Sequence, residues 1–228
     1  MINFACVYYG DKYTFPYVRN LHSMVERNLT IPHRFICFTD NTVIHRRKEF
    51  KSTNIEFRQF KRHDFNGWFN KLQLFSPQSD LEGDTLYMDL DIVIMKNIDD
   101  FATIGESKNF VGMNDFNPTT GLFNSSIMRF NNQYHSKLIW DEYMKRRSEF
   151  GKMHGDQEII SALIKKHEDT ISFPNEWTQS YKWFDRQGKR YHVEKMTYEK
   201  DPNAKVCVFH GNPNPAESTQ EWVKELWK

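Results

Sequence analysis

Asp89 and Asp91 sit in the run Thr85-Leu86-Tyr87-Met88-Asp89-Leu90-Asp91-Ile92-Val93-Ile94-Met95, which otherwise has the character of one apolar strand leading to the interior. An unpaired carboxylate is costly to bury, so two of them here call for a compensating cation. On an extended backbone their one-residue separation directs both side chains to the same side. Two hard oxygen donors on one side suit a divalent ion such as Mg or Mn that keeps open positions for substrate oxygens. The same spacing also fits an acidic turn after a buried strand, or a pair of helix-capping acids. The apolar residues on both flanks favour the metal, since a surface turn has no need of them.

The elements that must position these acids follow from periodicity and punctuation. Phe4 to Tyr9 is an apolar run closed by Gly10-Asp11, the signature of a buried first strand. Val18, Leu21, Val25 and Leu29 recur at helical spacing until Pro32, and His33 to Phe38 makes a second strand ending at Thr39-Asp40-Asn41. This strand, helix, strand unit predicts a parallel pair with a right-handed crossover. A further strand is expected near Ile55 to Phe60. Trp68, Leu72 and Phe75 mark the buried face of a short helix stopped by Pro77.

After the acid-bearing strand, Asn109 to Met113 and Leu122 to Phe130 read as strands, and His135 to Phe150 and Asp156 to Lys166 as helices. Thr170 to Phe173 and Lys205 to Phe209 are two more strands, and Trp222, Val223 and Leu226 give a C-terminal helix. Asn175 to Asp201 has no clear period, and there is no internal repeat. Alternating strands and helices imply an α/β sheet, in which ligands bind beyond the carboxyl ends of the strands. Tyr9-Gly10-Asp11, Thr39-Asp40, Asp89-Leu90-Asp91 and His210 all fall at such ends and are expected to converge on one crevice.

With 228 residues and no long linker, the chain fits one domain spanning 1–228. A formal net charge of +1 leaves no electrostatic footprint for nucleic acid or an anionic membrane, and Arg46-Arg47-Lys48 reads as solvated surface. Cys6, Cys37 and Cys207 each lie in an apolar run with no partner at metal-site spacing, as expected of buried reduced thiols in a cytoplasmic protein. The N-terminus has no signal-peptide pattern, and no run of about 18 apolar residues occurs.

Five motifs in order, Lys71-Leu72, Leu86 to Asp91, Phe123-Asn124-Ser125-Ser126, Gly155-Asp156-Gln157 and Val208-Phe209-His210-Gly211, resemble those of the retaining nucleotide-sugar glycosyltransferases of family 8. This is the glycogenin and galactosyltransferase group, and the resemblance runs from the first strand to His210. It implies a single GT-A domain with a Rossmann-like, mostly parallel sheet flanked by helices. It also implies a hexosyltransferase that takes a UDP-sugar as donor, uses Mn2+ or Mg2+, and delivers the sugar to an acceptor hydroxyl with retention.

On this resemblance Asp89, Asp91 and His210 are the metal ligands, with Asp89 also near the donor ribose, and the imidazole favours Mn over Mg. Val7 and Tyr9 line the base pocket, Tyr13 stacks on the uracil, and Asp40 accepts from the base edge. Leu90 belongs to the same donor-binding set. Lys71 reaches the donor phosphates or sugar, Asn124 and Ser125 hold the sugar hydroxyls, and Asp156 and Gln157 lie beside the anomeric carbon. Read from the residues alone, His210 also suits a structural hydrogen bond, the tyrosines plain packing, Lys71 solvated surface and Asp156 an N-cap.

Two departures stand out. Ser126 replaces a common glycine, and Gly211-Asn212-Pro213-Asn214-Pro215 lacks the family's lysine after the histidine. Lys71, Arg186 and Lys189 are candidates to neutralise the diphosphate instead. Segment 175–201, rich in aromatics at Trp177, Tyr181, Trp183 and Phe184, is assigned as an acceptor or lid insertion, with packing over the sheet as the competing reading.

Three other classes compete. Met88 to Val93 fits the nucleophile strand of haloacid-dehalogenase-type phosphatases, with Asp89 attacking phosphorus, but the motif lies mid-chain and Ile160 stands at the offset where a second aspartate belongs. A non-catalytic carbohydrate-binding protein of this fold is disfavoured by the complete set Asp89, Asp91, Asp156, Gln157 and His210. A sugar-1-phosphate nucleotidyltransferase calls for a glycine-rich basic loop, which Tyr8-Tyr9-Gly10-Asp11 is not.

Overall fold

A computed structural model describes residues 1–182 and 199–228. Strand β1 (Ile2–Tyr8), helix α1 (Phe15–Asn28) and β2 (His33–Thr39) form the expected first unit, and β1 pairs in parallel with β2, Cys6 opposite Cys37. Pro at the start of α1 costs no helical hydrogen bond, and Tyr17, Val18, Leu21, Met24 and Val25 make its buried face.

The remaining strands are β3 (Glu56–Gln59), β4 (Asp84–Met88), β5 (Ile92–Ile94), β6 (Phe110–Asn114), β7 (Phe123–Asn131), β8 (Thr170–Ser172), β9 (Thr178–Ser180) and β10 (Val206–Val208). The other α-helices among the described residues are α2 (Asp99–Thr103), α3 (Asn132–Ser136), α4 (Glu142–Lys145), α5 (Arg147–Phe150), α6 (Asp156–Ile164) and α7 (Glu221–Leu226). Trp183, Phe184, Arg186 and Lys189 lie outside those residues.

The main sheet has the order β3-β2-β1-β4-β7-β6-β8 and is mostly parallel, with β7 antiparallel to both of its neighbours. The carboxyl ends of β1, β2 and β4 therefore share one edge with the amino end of β7, and that shared edge carries the site. Ile2, Phe4, Cys6 and Tyr8 pack in one apolar layer, with α1 and the second sheet, and Ala5 packs in the other. Burial on both faces explains why β1 reads as a continuous apolar run. All three cysteines are buried free thiols.

Four expectations need correction. The run from Thr85 to Met95 is two strands. Backbone pairing of β4 ends as the Asp89 N–H donates to the Ser126 carbonyl at 2.9 Å, the chain bends at Leu90-Asp91, and β5 enters a second sheet of order β5-β10-β9. The acids are thus gathered by a bend between sheets and not by strand alternation.

Secondly, the helix around Lys71 is a 3-10 helix, Gly67–Phe75, that buries Lys71, Leu72 and Phe75 but leaves Trp68 60% exposed. A three-residue period places Trp68 and Lys71 on the same side of the helix, and Lys71 goes inward because it finds two carboxylates there. Thirdly, the helix expected over 135–150 is broken by a π turn at Lys137–Asp141 and a second break at Arg146. Finally, β9 forms inside the unperiodic segment 175–201. Three residues are too few to carry a pattern.

His135, on α3, is 1% exposed, with Nδ1 within 3.0 Å of both the backbone N–H and the carbonyl of Asn131. Burial holds its pKa below the usual histidine value. The unfolded chain thus binds a proton that the folded chain resists, so this contribution to stability is present above about pH 6.5 and is lost as pH falls below it. The urea midpoint is expected to drop between pH 7 and 5, with a shallower pH slope in His135→Gln. An unchanged slope in the variant would contradict this.

Candidate active site

A cavity of about 520 Å³ opens at the shared sheet edge, within the range of about 300–1,000 Å³ usual for small-molecule sites. Val7, Tyr9 and the turn Gly10 to Tyr13 form its first wall. Gly10 takes φ +62°, a left-handed turn suited to glycine, and its N–H donates to the Asp40 carboxylate at 3.3 Å. Asp40 therefore braces this turn and borders a neighbouring hollow with Asn41 and Phe15. It lines this hollow and not the main cavity.

Asp89, Leu90 and Asp91 form the second wall. Asp89 accepts from the Tyr87 hydroxyl at 2.5 Å and pairs with Lys71 Nζ at 3.0 Å. Burial pushes its carboxyl up, but the Lys71 charge and the hydrogen bonds from Tyr87, Lys71 and Ser126 hold it below the usual range. Asp91 is 6% exposed and less well compensated. The Tyr13 hydroxyl donates to it at 2.7 Å, and Lys12 Nζ stands 4.0 Å away. Burial, then the charge of Asp89, push its pKa up to about 6. Burial and Asp91 in turn push up the Tyr13 phenol.

Asn124, Ser125 and Ser126 at the start of β7 and Asp156 and Gln157 at the start of α6 form the third wall. Lys71 Nζ donates to Ser125 Oγ at 3.1 Å and its carbonyl at 3.3 Å, and pairs with Asp156 at 3.0 Å. Burial disfavours the ammonium, yet Asp156 and Asp89 outweigh it and raise the Lys71 pKa. Lys71 is therefore a buried cation bridging two acids, not the solvent-facing lysine its helix suggested. Gly155 holds the N-cap position of α6, so Asp156 is not an N-cap, and Gln157 Nε2 donates to Asp115 Oδ2 at 2.6 Å.

Phe209, His210 and Gly211 close the fourth side. The Phe209 N–H donates to the Asp91 carbonyl at 3.0 Å and so ties the end of β10 to the acidic bend. The His210 ring lies edge-on to Phe116, with centroids 5.0 Å apart. Its carbonyl accepts from Lys182 Nζ at 2.6 Å, and burial lowers the Lys182 pKa.

The structure thus brings together every expected site residue except Asp40. As the side chains stand, however, no three His, Cys, Asp or Glu groups among the described residues are disposed to hold a metal ion. The expected set Asp89, Asp91 and His210 is not assembled as a ligand triad, because Asp89 is taken up by Lys71 and Tyr87. Lys12, Tyr87, Trp68 and Lys182 were missed from the sequence. Of these, only Lys12, beside the Gly10-Asp11 turn, carried a usable signal.

The fold is that of GT-A glycosyltransferases. An active-site mutant of LgtC superposes with a TM-score of 0.67 at 13% identity, covering 98% of this chain and 93% of that one. The galactosyltransferase LgtC in complex with donor and acceptor sugar analogues gives 0.62 at 14%, covering 99% and 96%. Mouse xyloside xylosyltransferase 1 gives 0.59 at 12%, covering 92% and 97%. No family model matches the chain, and no curated protein matches it by sequence. Among the described residues, no helix is long and apolar enough to cross a membrane.

Proposed function

We propose that the chain is a metal-dependent glycosyltransferase of the family 8 type, a single domain over 1–228 that moves a hexosyl group from a UDP-sugar to an acceptor hydroxyl with retention. The observation that supports it best is the meeting of an under-compensated buried acid, Asp91, with Lys71, Asp156 and Gln157 in one cavity, on a fold otherwise found in glycosyltransferases. Buried reduced thiols fit a cytoplasmic setting.

A divalent ion suits this donor set, because Asp91 is pushed toward protonation by burial and by Asp89, and a cation relieves both. Asp91, Asp89 and His210 are the residues that would hold it, with Asp89 sharing its charge with Lys71. When bound, the ion supplies Lewis-acid stabilisation to the diphosphate oxygens. Lys12 and Lys182 are the cations assigned to the same diphosphate in place of the missing lysine, since Lys71 is committed to its two acids. In transfer, the bond from the anomeric carbon to the phosphate oxygen breaks with its electron pair leaving on UDP. The acceptor oxygen bonds to that carbon from the same face, and its proton passes to the departing phosphate. Asp156 and the Gln157 amide oxygen stabilise the cationic sugar. Val7, Tyr9, Tyr13 and Leu90 hold the nucleoside, Asn124 and Ser125 the sugar hydroxyls, and 175–201 serves the acceptor side.

Incubation with UDP-glucose, UDP-galactose and UDP-xylose plus Mn2+ tests this reading. Release of UDP from at least one donor, stopped by chelation, is expected. Intact donors together with hydrolysis of p-nitrophenyl phosphate would replace it by the phosphatase reading with Asp89 as nucleophile.

A further inference from the structure

We infer that Trp68 is the acceptor platform and that the acceptor is a saccharide, whose pyranose ring stacks on the exposed indole. This rests on the proposed transferase reading and adds to it the class of the second substrate.

Met1, Val43, Trp68 and Tyr134 are the exposed large hydrophobic side chains among the described residues, and of these only Trp68 lines the cavity. It is 60% exposed at the cavity wall, so its ring surface is accessible to a ligand that enters there. The ring is nevertheless fixed. Nε1 donates to the His154 carbonyl at 3.0 Å, and the same edge lies against Gly155, where an added Cβ would stand 2.9 Å from Nε1 and 3.1 Å from Cδ1. With its polar atom satisfied and its edge seated on bare backbone, the indole leaves ring surface open and has little freedom left to lose on binding.

The position specifies the substrate. Trp68 is one 3-10 turn before Lys71, on the same side, and its anchor residues directly precede Asp156 and Gln157. It therefore borders the end of the cavity where the anomeric carbon is placed, but at the solvent-open rim. The donor sugar, held by Asn124, Ser125 and Asp156, sits where those side chains are buried, whereas a partner arriving from solvent meets Trp68. A pyranose suits this place, since it offers an apolar C–H face to an aromatic ring and hydroxyls to the polar groups behind it.

Methyl β-glucoside, methyl β-galactoside, methyl β-xyloside and lactose serve as probes with the Mn2+- and UDP-sugar-loaded enzyme. Trp68→Ala is expected to raise the KM for the accepted glycoside by roughly 30-fold, far more than it changes UDP affinity, and Trp68→Phe to recover most of that loss. Tyr134→Ala, an exposed aromatic away from the cavity, leaves that KM unchanged. In the wild type, the glycoside should also perturb tryptophan emission once UDP is bound, a readout independent of any variant's folding. Equal KM values for wild type and Trp68→Ala, or no response to any of the four glycosides, would overturn the inference while UDP binding stands. Absence of UDP binding would instead remove the parent reading.

Discussion

Lys71→Met is expected to destabilise the fold by about 3–5 kcal/mol, the range for removing one partner from a buried ionic cluster. Lys71 is 6% exposed and its ammonium lies 3.0 Å from both Asp89 and Asp156. Methionine fills much of the same space, so the loss is electrostatic. The buried carboxylate of Asp156 and the part-buried one of Asp89 remain close together with Tyr87 and Ser126 as neutral donors, so folding favours the uptake of a proton by one of them. The deficit should therefore shrink as pH is lowered, and Asp156→Asn added to Lys71→Met should recover part of it. Urea denaturation of the three proteins measures this, and a single-variant loss below about 1 kcal/mol would mean that Lys71 is not the cation binding these walls together.

The second large effect concerns rate. Asp156→Asn is expected to lower kcat by about 10²–10³-fold with little change in UDP affinity, because a charge aimed at a developing cation acts in the transition state. The amide keeps an oxygen toward Lys71, so the fold should survive, and Asp89 remains to neutralise the lysine. Transfer and donor hydrolysis should fall together, since both pass through the same cationic sugar. Steady-state kinetics that leave kcat within about threefold would remove Asp156 from the chemistry and leave it a structural partner of Lys71.

Much of this was legible in the sequence where elements are long or punctuated. The β1-α1-β2 unit was readable because Gly10, Pro32 and Asn41 bound it and because α1 keeps a clean apolar face. The convergence of Tyr9-Gly10, Asp89-Asp91 and His210 followed from where parallel strands end. What was not legible depends on long-range partners. Lys71 looks solvated until two acids, 18 and 85 residues further along, are brought to it. That Asp40 braces the Gly10 turn is disclosed by nothing local, since the two are 30 residues apart. The 3-10 winding of Gly67–Phe75 was invisible, since Trp68, Leu72 and Phe75 also fit an α-helical face, and Trp68 is left exposed although that pattern put it on the buried side. The bend that divides β4 from β5 was hidden by apolar residues on both sides.

The most direct measurement is calorimetric titration of UDP into the protein with Mn2+, with Mg2+ and with chelator, repeated on Asp91→Asn. Binding with a Kd of order 1 μM, near −8 kcal/mol, is expected with Mn2+ and weakens at least about 100-fold in chelator or in the variant. Binding of UDP that ignores both metal and Asp91, or no binding of UDP under any condition, would contradict the proposed site.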